Sequence, residues 1–209
     1  GNPRIIRSMA MSADNRIYAG GYGEMGYLAA DAGKQLQYVS LLPEIDEQYR
    51  DFTDVWKTIS APGKGIYFIT SKLLFLWDGQ KMRVWPAQTD FQTGLFNQGR
   101  LYVHQKGLGL MQLVSDSLRL APQGEQLADA QVGAITPFGS PGTKKMLIAT
   151  RNKGLLLYDE GAVRSFATDA DDLFSRFQVF CAAALTRGRY ALGTMQNGVI
   201  IIDSLGSML

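Results

Sequence analysis

Two stretches of the chain gather the side chains that do recognition chemistry. "PEIDEQYRDFTDVWK", Pro43 to Lys57, mixes carboxylates with an arginine and aromatics, and "ATDADDLFSRF", Ala167 to Phe177, repeats the mixture. Aromatic faces stack on the C–H surfaces of a pyranose ring, while carboxylate, guanidinium and ammonium groups hydrogen-bond its hydroxyls. Tyr49, Arg50, Asp54, Trp56, Lys57, Phe174, Arg176 and Phe177 are therefore the candidate ligand-binding residues, with an oligosaccharide as the ligand they suit. Trp56, next to Val55 at the head of a strand, reads as a core residue first and a ligand platform second.

Other chemistry is hard to assemble from this sequence. His104 is the only histidine, so a two-histidine metal site cannot be built, and no serine lies in a Gly-x-Ser-x-Gly elbow. His104 is expected to be a structural or solvent-edge imidazole. The carboxylates Glu44 with Asp46, and Asp51 with Asp54, have the types of a glycosidase pair, but nothing in the sequence desolvates either pair. "DADD", Asp169 to Asp172, fits a solvated loop or a helix N-cap and does not have the spacing of an EF-hand loop. Cys181 stands alone inside "VFCAAAL", which excludes an internal disulfide and a cysteine zinc site and suggests a buried structural thiol. "GGYGEMGY", Gly20 to Tyr27, has the glycines of a phosphate loop, yet "YLAADAG" after it is too short for the helix such a loop must open. A hairpin turn is expected there. No catalytic residue, metal or cofactor is assigned.

Composition narrows the partners. Twenty-one Lys and Arg against 19 Asp and Glu leave a net charge of +2, without the concentrated basic field that nucleic acid or an anionic membrane surface requires. No apolar run approaches the ~18 residues of a membrane-spanning helix, and residues 1 to 15 lack the order of a signal peptide.

The elements that position these residues are written as repeats. "LIATRNKGLLLYD", Leu147 to Asp159, returns as "ALGTMQNGVIIID", Ala191 to Asp203, about 44 residues later. Carried backwards, the register takes Gly198 and Gly154 to Gly109 and Gly26, with a further copy at "GIYFITSKLLFLWDG", Gly65 to Gly79. Five copies in 209 residues give about 42 each, the range of four-stranded propeller blades. "RIYAG", "GIYFIT", "RLYVH", "KMLIAT" and "RYALGT" are second strands. "RIIRSMAMS", "DVWKTISA", "GLFN", "QVGAITPF" and "QVFCAAALT" precede them as inner strands. "LQYVSLL", "KMRVWPA", "LRLAPQ" and "AVRSFAT" supply fourth strands. In "QNG" and "NKG" the glycine provides the positive φ of a tight turn between second and third strands. Only "ADDLFSRFQ", Ala170 to Gln178, hints at a helix. The fold expected is all-β, a β-propeller of about five four-stranded blades, near residues 1-43, 52-88, 91-129, 130-168 and 177-209, either closed or part of a larger one. The long links between blades, 43–57 and 167–177, are the natural ligand-facing loops.

"VFCAAALTRGRYALGTMQNGVIIID", Val179 to Asp203, resembles the two-component-regulator propeller repeat. "VGAITPFGSPGTKKMLIATRNKGLLLYDEG" from Val132 and "VWKTISAPGKGIYFIT" from Val55 are similar, and "IYAGGYGEMGYL", Ile17 to Leu28, looks like the opening blade of Bacteroides-type propeller sensors. Where the family carries a tryptophan near the start of each second strand, this chain has Tyr18, Tyr67, Tyr102, Met146 and Tyr190. The resemblance implies the periplasmic sensing part of a hybrid histidine kinase or a triple-tyrosine regulator, responsive to glycans. It implies ligand binding without catalysis, and exposed blade flanks would allow self-association or a homodimer. A protein-interaction scaffold without a small ligand, or a carbohydrate-active propeller enzyme, are the alternatives.

Overall fold

The computed structural model describes residues 5–31 and 33–209, and the chain divides into two compact units, Gly1–Phe91 and Gln92–Leu209. In the first unit, β1 (Ile6–Met11), β2 (Ile17–Gly21), β3 (Glu24–Ala30) and β4 (Leu36–Ser40) form one antiparallel sheet in chain order. The strands β5 (Lys57–Ala61), β6 (Gly65–Ile69), β7 (Leu73–Trp77) and β8 (Met82–Pro86) form the next. In the second unit, β9 (Phe91–Asn97), which begins on the boundary, pairs on with β10 (Arg100–Gln105), β11 (Gly109–Val114) and β12 (Ser117–Leu120). A fourth sheet holds β13 (Val132–Pro137), β14 (Met146–Thr150), β15 (Leu155–Asp159) and β16 (Ala162–Ser165). The helix α1 (Asp171–Phe177) leads into a sheet of three strands, β17 (Val179–Ala184), β18 (Arg189–Thr194) and β19 (Val199–Asp203). Meandering sheets of this kind are propeller blades, and the fold is an all-β propeller.

The repeat and the sheet register agree closely. Thr70, Thr150 and Thr194 each close the turn after a second strand, with the hydroxyl donating to the carbonyl of Leu73, Gly154 and Gly198. Gly154 and Gly198 both have φ of 68° there, a conformation that costs an L side chain about 1 kcal/mol or more. The first blade departs. Its corresponding turn is only Tyr22 and Gly23, between Gly21 and Glu24, which are paired. "GGYGEMGY" is thus a hairpin turn, and the residue aligned with Gly154 is Glu24, two positions before Gly26. Gly26 is instead small because a Cβ there would fall on the Val39 carbonyl and on the Tyr38 ring. The inner strand of the third blade is also longer than "GLFN". Of the five residues standing for the family tryptophan, Tyr18, Tyr67 and Tyr102 share one register position, while Met146 and Tyr190 lie one residue earlier and face the other side of their sheets.

Within each unit, adjacent blades bury their facing surfaces. Tyr18 and Met25 of the first blade pack with Val55, Ile66, Phe68 and Phe75 of the second. Ala134, Leu147 and Ala149 of the fourth pack with Val179, Tyr190, Leu192, Ile200 and Ile202 of the fifth. Between the third and fourth blades the link 121–130 is held by two buried polar side chains. The Tyr158 hydroxyl donates to the Pro122 carbonyl at 3.0 Å, and His104 Nε2 bonds the Leu127 carbonyl at 2.8 Å. Burial lifts the Tyr158 phenol to about 12. His104 is fully buried at the register position of Ala149 and Gly193, and its Nδ1 has no partner among the described residues.

His104 gives stability a pH dependence. Burial pushes it below the usual histidine value of 6.5, against the smaller opposing effect of the Leu127 carbonyl. The folded chain therefore holds His104 neutral where the unfolded chain takes up a proton. The contribution is complete above 6.5 and falls as pH drops below it. We expect the urea midpoint to decrease between pH 7.5 and pH 5.5, and His104→Gln to flatten that decrease.

Candidate functional site

Three inner strands carry a bulge at the same place. Pairing slips between Ile6 and Ser8, between Val132 and Ala134, and between Val179 and Cys181, leaving Arg7, Gly133 and Phe180 as the extra residues. In the second blade the residue two before Lys57 is Val55, which aligns with Val132 and Val179, so Trp56 occupies the corresponding place. Bulges re-aim side chains at sheet edges and next to functional sites. Here the re-aimed residues are exposed: Trp56 by 46% and Phe180 by 54%. The core position expected for Trp56 belongs to Val55, which is completely buried.

In the first unit the bulge residue Arg7 meets Trp56, its counterpart on the neighbouring blade. The Arg7 guanidinium lies over the Trp56 ring, 5.4 Å from its centroid, and its Nε donates to Asp54 Oδ1 at 2.6 Å. Tyr22, 62% exposed at the tip of the first hairpin, bridges to Asp54 through the backbone. The Val55 amide donates to the Gly21 carbonyl and the Ser8 hydroxyl donates to the Val55 carbonyl, which fixes the backbone before Trp56, and Lys57 after it pairs with Ile69. The result is a platform of one indole, one guanidinium and one carboxylate at the inner-strand edge, with the exposed Tyr22 joined to it through the backbone. Arg7 and Tyr22 were not among the residues singled out above. Arg7 follows Ile6 as Trp56 follows Val55 and Phe180 follows Val179, a repeat signal that finds it.

The remaining candidates do other work. Tyr49 is half-buried against the first unit's core. Arg50 turns back on its own link, donating to the carbonyls of Ile45 and Pro43. Lys57 opens β5 with a half-buried side chain. Phe174 is 2% exposed inside the core between the fourth and fifth blades, so it offers no ring face for stacking and instead anchors α1. Arg176 is exposed and Phe177 half-buried on the last turn of α1, and the Phe177 carbonyl accepts from the Met195 amide. Asp171 and Asp172 sit in the first turn of α1, where Asp171 accepts from the amide and hydroxyl of Thr168. Cys181 is exposed, contrary to the buried thiol expected, because it lies on the flank of the fifth blade with its sulfur over Gly193.

Four carboxylates are held low by structural contacts. The Ser12 hydroxyl holds Asp14 below the ordinary carboxylate range, the Gln35 amide Asp31, the Lys81 amide Asp78, and the Lys153 ammonium Asp129. These carboxylates tie turns and stay ionised, the opposite of a general acid. Glu44, Asp46 and Asp51 are exposed and Asp54 is ion-paired, so neither glycosidase-type pair has a desolvated member. Among the described residues no group of three or more His, Cys, Asp and Glu could hold a metal ion.

Open clefts lie at the strand ends opposite the long links. One of about 270 Å³ runs between Ser12–Asp14, Arg16, Ala61–Gly63 and Asp78–Gly79 in the first unit. Another of about 810 Å³ lies in the second unit among the turns after β9, β13 and β17, with Asn97, Thr143 and Arg187 among its polar residues.

Known structures place this architecture among β-propellers. The chain matches the crystal structure of the WD40 β-propeller domain of Doa1 with a TM-score of 0.69 and 14% identity, over 100% of this chain and 69% of that one. It also matches PorZ, a bacterial surface component of the type-IX secretion system of Porphyromonas gingivalis, with a TM-score of 0.71 and 10% identity, over 99% of this chain. It spans 28% of the PorZ chain. Comparison with protein-family models and with curated proteins returned no match.

Proposed function

We propose that this chain is a recognition propeller without catalytic chemistry of its own, from the periplasmic sensing region of a bacterial two-component regulator. Its ligand is an oligosaccharide held on the platform of Arg7, Tyr22, Asp54 and Trp56. The observation that carries this reading is the exposed indole of Trp56, fixed by a bulge-like position and braced by Arg7 and Asp54. Such a ring stacks on a sugar without losing side-chain freedom, and the neighbouring charged groups hydrogen-bond hydroxyls. That PorZ is a bacterial surface component is compatible with an extracytoplasmic setting for a similar fold. Signalling would follow from ligand-biased rearrangement of the parent regulator.

The test is thermal melting against a panel of plant and host oligosaccharides. A ligand at about 100 times its dissociation constant adds about 2.7 kcal/mol, a readable shift. The expected result is a selective upward shift in the wild type that disappears in Trp56→Ala, whose own melting temperature changes little because the ring is half in solvent. No shift from any glycan, alongside a protein partner whose binding Trp56→Ala abolishes, would instead favour the scaffold reading.

A further inference from the structure

We propose that the open cleft of the second unit is a docking site for a short acidic peptide, separate from the Trp56 platform. The cleft, of about 810 Å³, is walled by the first turns of three consecutive blades, around Asn97 and Gln98, residues 137–143 and residues 184–188. A space of that size suits a few residues of an extended chain and not a folded partner. Charge sets the class of peptide. Arg187 is the one ionisable residue in the lining; it is exposed, and its guanidinium has no ion-pair or hydrogen-bond partner among the described residues. A smaller cavity of about 60 Å³ adjoins the cleft, sharing Asn97 and Gln98 with it. There Arg100 and Lys144 share a single carboxylate, Glu160, at 3.6 and 2.9 Å. Three cations and one anion therefore line the two spaces, an excess that draws carboxylates.

The backbone under Arg187 points the same way. It has φ of 60° and ψ of 38°, the left-handed region that disfavours a long side chain. In the corresponding turn of the first blade that conformation falls to Asn15, at φ of 62°, a residue type that tolerates it. Around Arg187 the Leu185 amide donates to the Arg189 carbonyl at 2.7 Å and Arg189 Nε donates to the Thr186 carbonyl at 3.4 Å, which holds the turn. Strain of this kind clusters at ligand clamps. The rest of the lining favours a peptide over a sugar. No aromatic residue lines the larger cleft, so no ring is offered to a pyranose face, and Pro137, Pro141 and Leu185 supply apolar contact instead. A Cβ at Gly142 would meet nothing within 4 Å, and one at Gly139 or Gly188 would meet only side-chain atoms at 3.6 Å or more. Backbone there is open to close approach by another chain. Asn97, 6% exposed, steadies the floor by donating from Nδ2 to the Thr143 carbonyl at 3.2 Å, which ties the turn of the third blade to that of the fourth.

The experiment is selection from a random-peptide phage library on the immobilised 209-residue chain, followed by calorimetric titration of the selected sequences as acetylated, amidated synthetic peptides. Tri-galacturonate is titrated alongside as an acidic sugar. Expected are peptides rich in aspartate and glutamate whose affinity falls about ten-fold or more in Arg187→Glu, and falls again as salt is raised from about 0.05 to 0.5 M. Arg187→Glu should melt with the wild type, because the side chain is exposed, and Trp56→Ala should leave peptide affinity unchanged. A selection that yields no peptide, peptides without acidic residues, acidic peptides that bind Arg187→Glu as tightly as the wild type, or binding of tri-galacturonate in their place would each overturn the proposal.

Discussion

Replacing Gly109 with alanine is expected to destabilise the second unit by about 3 kcal/mol or more, whereas the same change at Gly154 costs about 1 kcal/mol. The two glycines hold one position of the repeat, each at the start of a third strand. Their surroundings differ. A Cβ at Gly154 meets open space, so only the left-handed backbone at φ of 68° is penalised. At Gly109 the backbone has φ of 110°, and a Cβ would fall on the Gly124 carbonyl. Gly124 opens the 3₁₀ turn Gly124–Leu127, and the adjoining Ala121 amide donates to the Leu110 carbonyl, so neither strand nor link can withdraw freely. Urea unfolding followed by far-UV circular dichroism gives both values. Equal midpoints for the two variants would show that the link does not pack as described.

Phe68→Ala is expected to cost about 3 to 5 kcal/mol, the range for deleting a buried aromatic side chain. Phe68 has no exposed surface and lies on the face of the second blade turned to the first, with its ring edge toward Tyr18 at 6.4 Å between centroids. The loss therefore opens the junction between the first two blades as well as the sheet itself. Trp56, Trp77 and Trp85 are the only tryptophans and all lie in the first unit, so indole fluorescence reads this variant directly. A change below about 1 kcal/mol would mean that the junction relaxes to fill the space.

Strands were legible because each second and third strand is an apolar run bounded by a polar turn, and the fourth strands followed from the period. Faces were harder to read. "VFCAAAL" is apolar throughout, so alternation cannot say which residues face the fourth blade, and Cys181 falls on the uncovered side while Ala182 packs inward. Bulges were the second difficulty. They shift the two-residue alternation by one, which turns Arg7 outward over Trp56 of the next blade, where Trp56 precedes the paired residues of β5. Gly26 misled for a related reason, since the shorter Tyr22–Gly23 turn displaced the first repeat by two residues. Phe174 had the type of a stacking ring, but α1 needs an anchor, and the only large apolar residue buried in it is that one.

Recognition on the indole of Trp56 is read from the indole N–H resonances of the nitrogen-15-labelled chain during titration with the oligosaccharide panel. Three resonances are expected, one per tryptophan. An active oligosaccharide is expected to move the Trp56 resonance saturably, to leave the buried Trp77 resonance in place, and to move nothing in Trp56→Ala. A bound oligosaccharide that leaves Trp56 unmoved, or three resonances unchanged by every member of the panel, would contradict it.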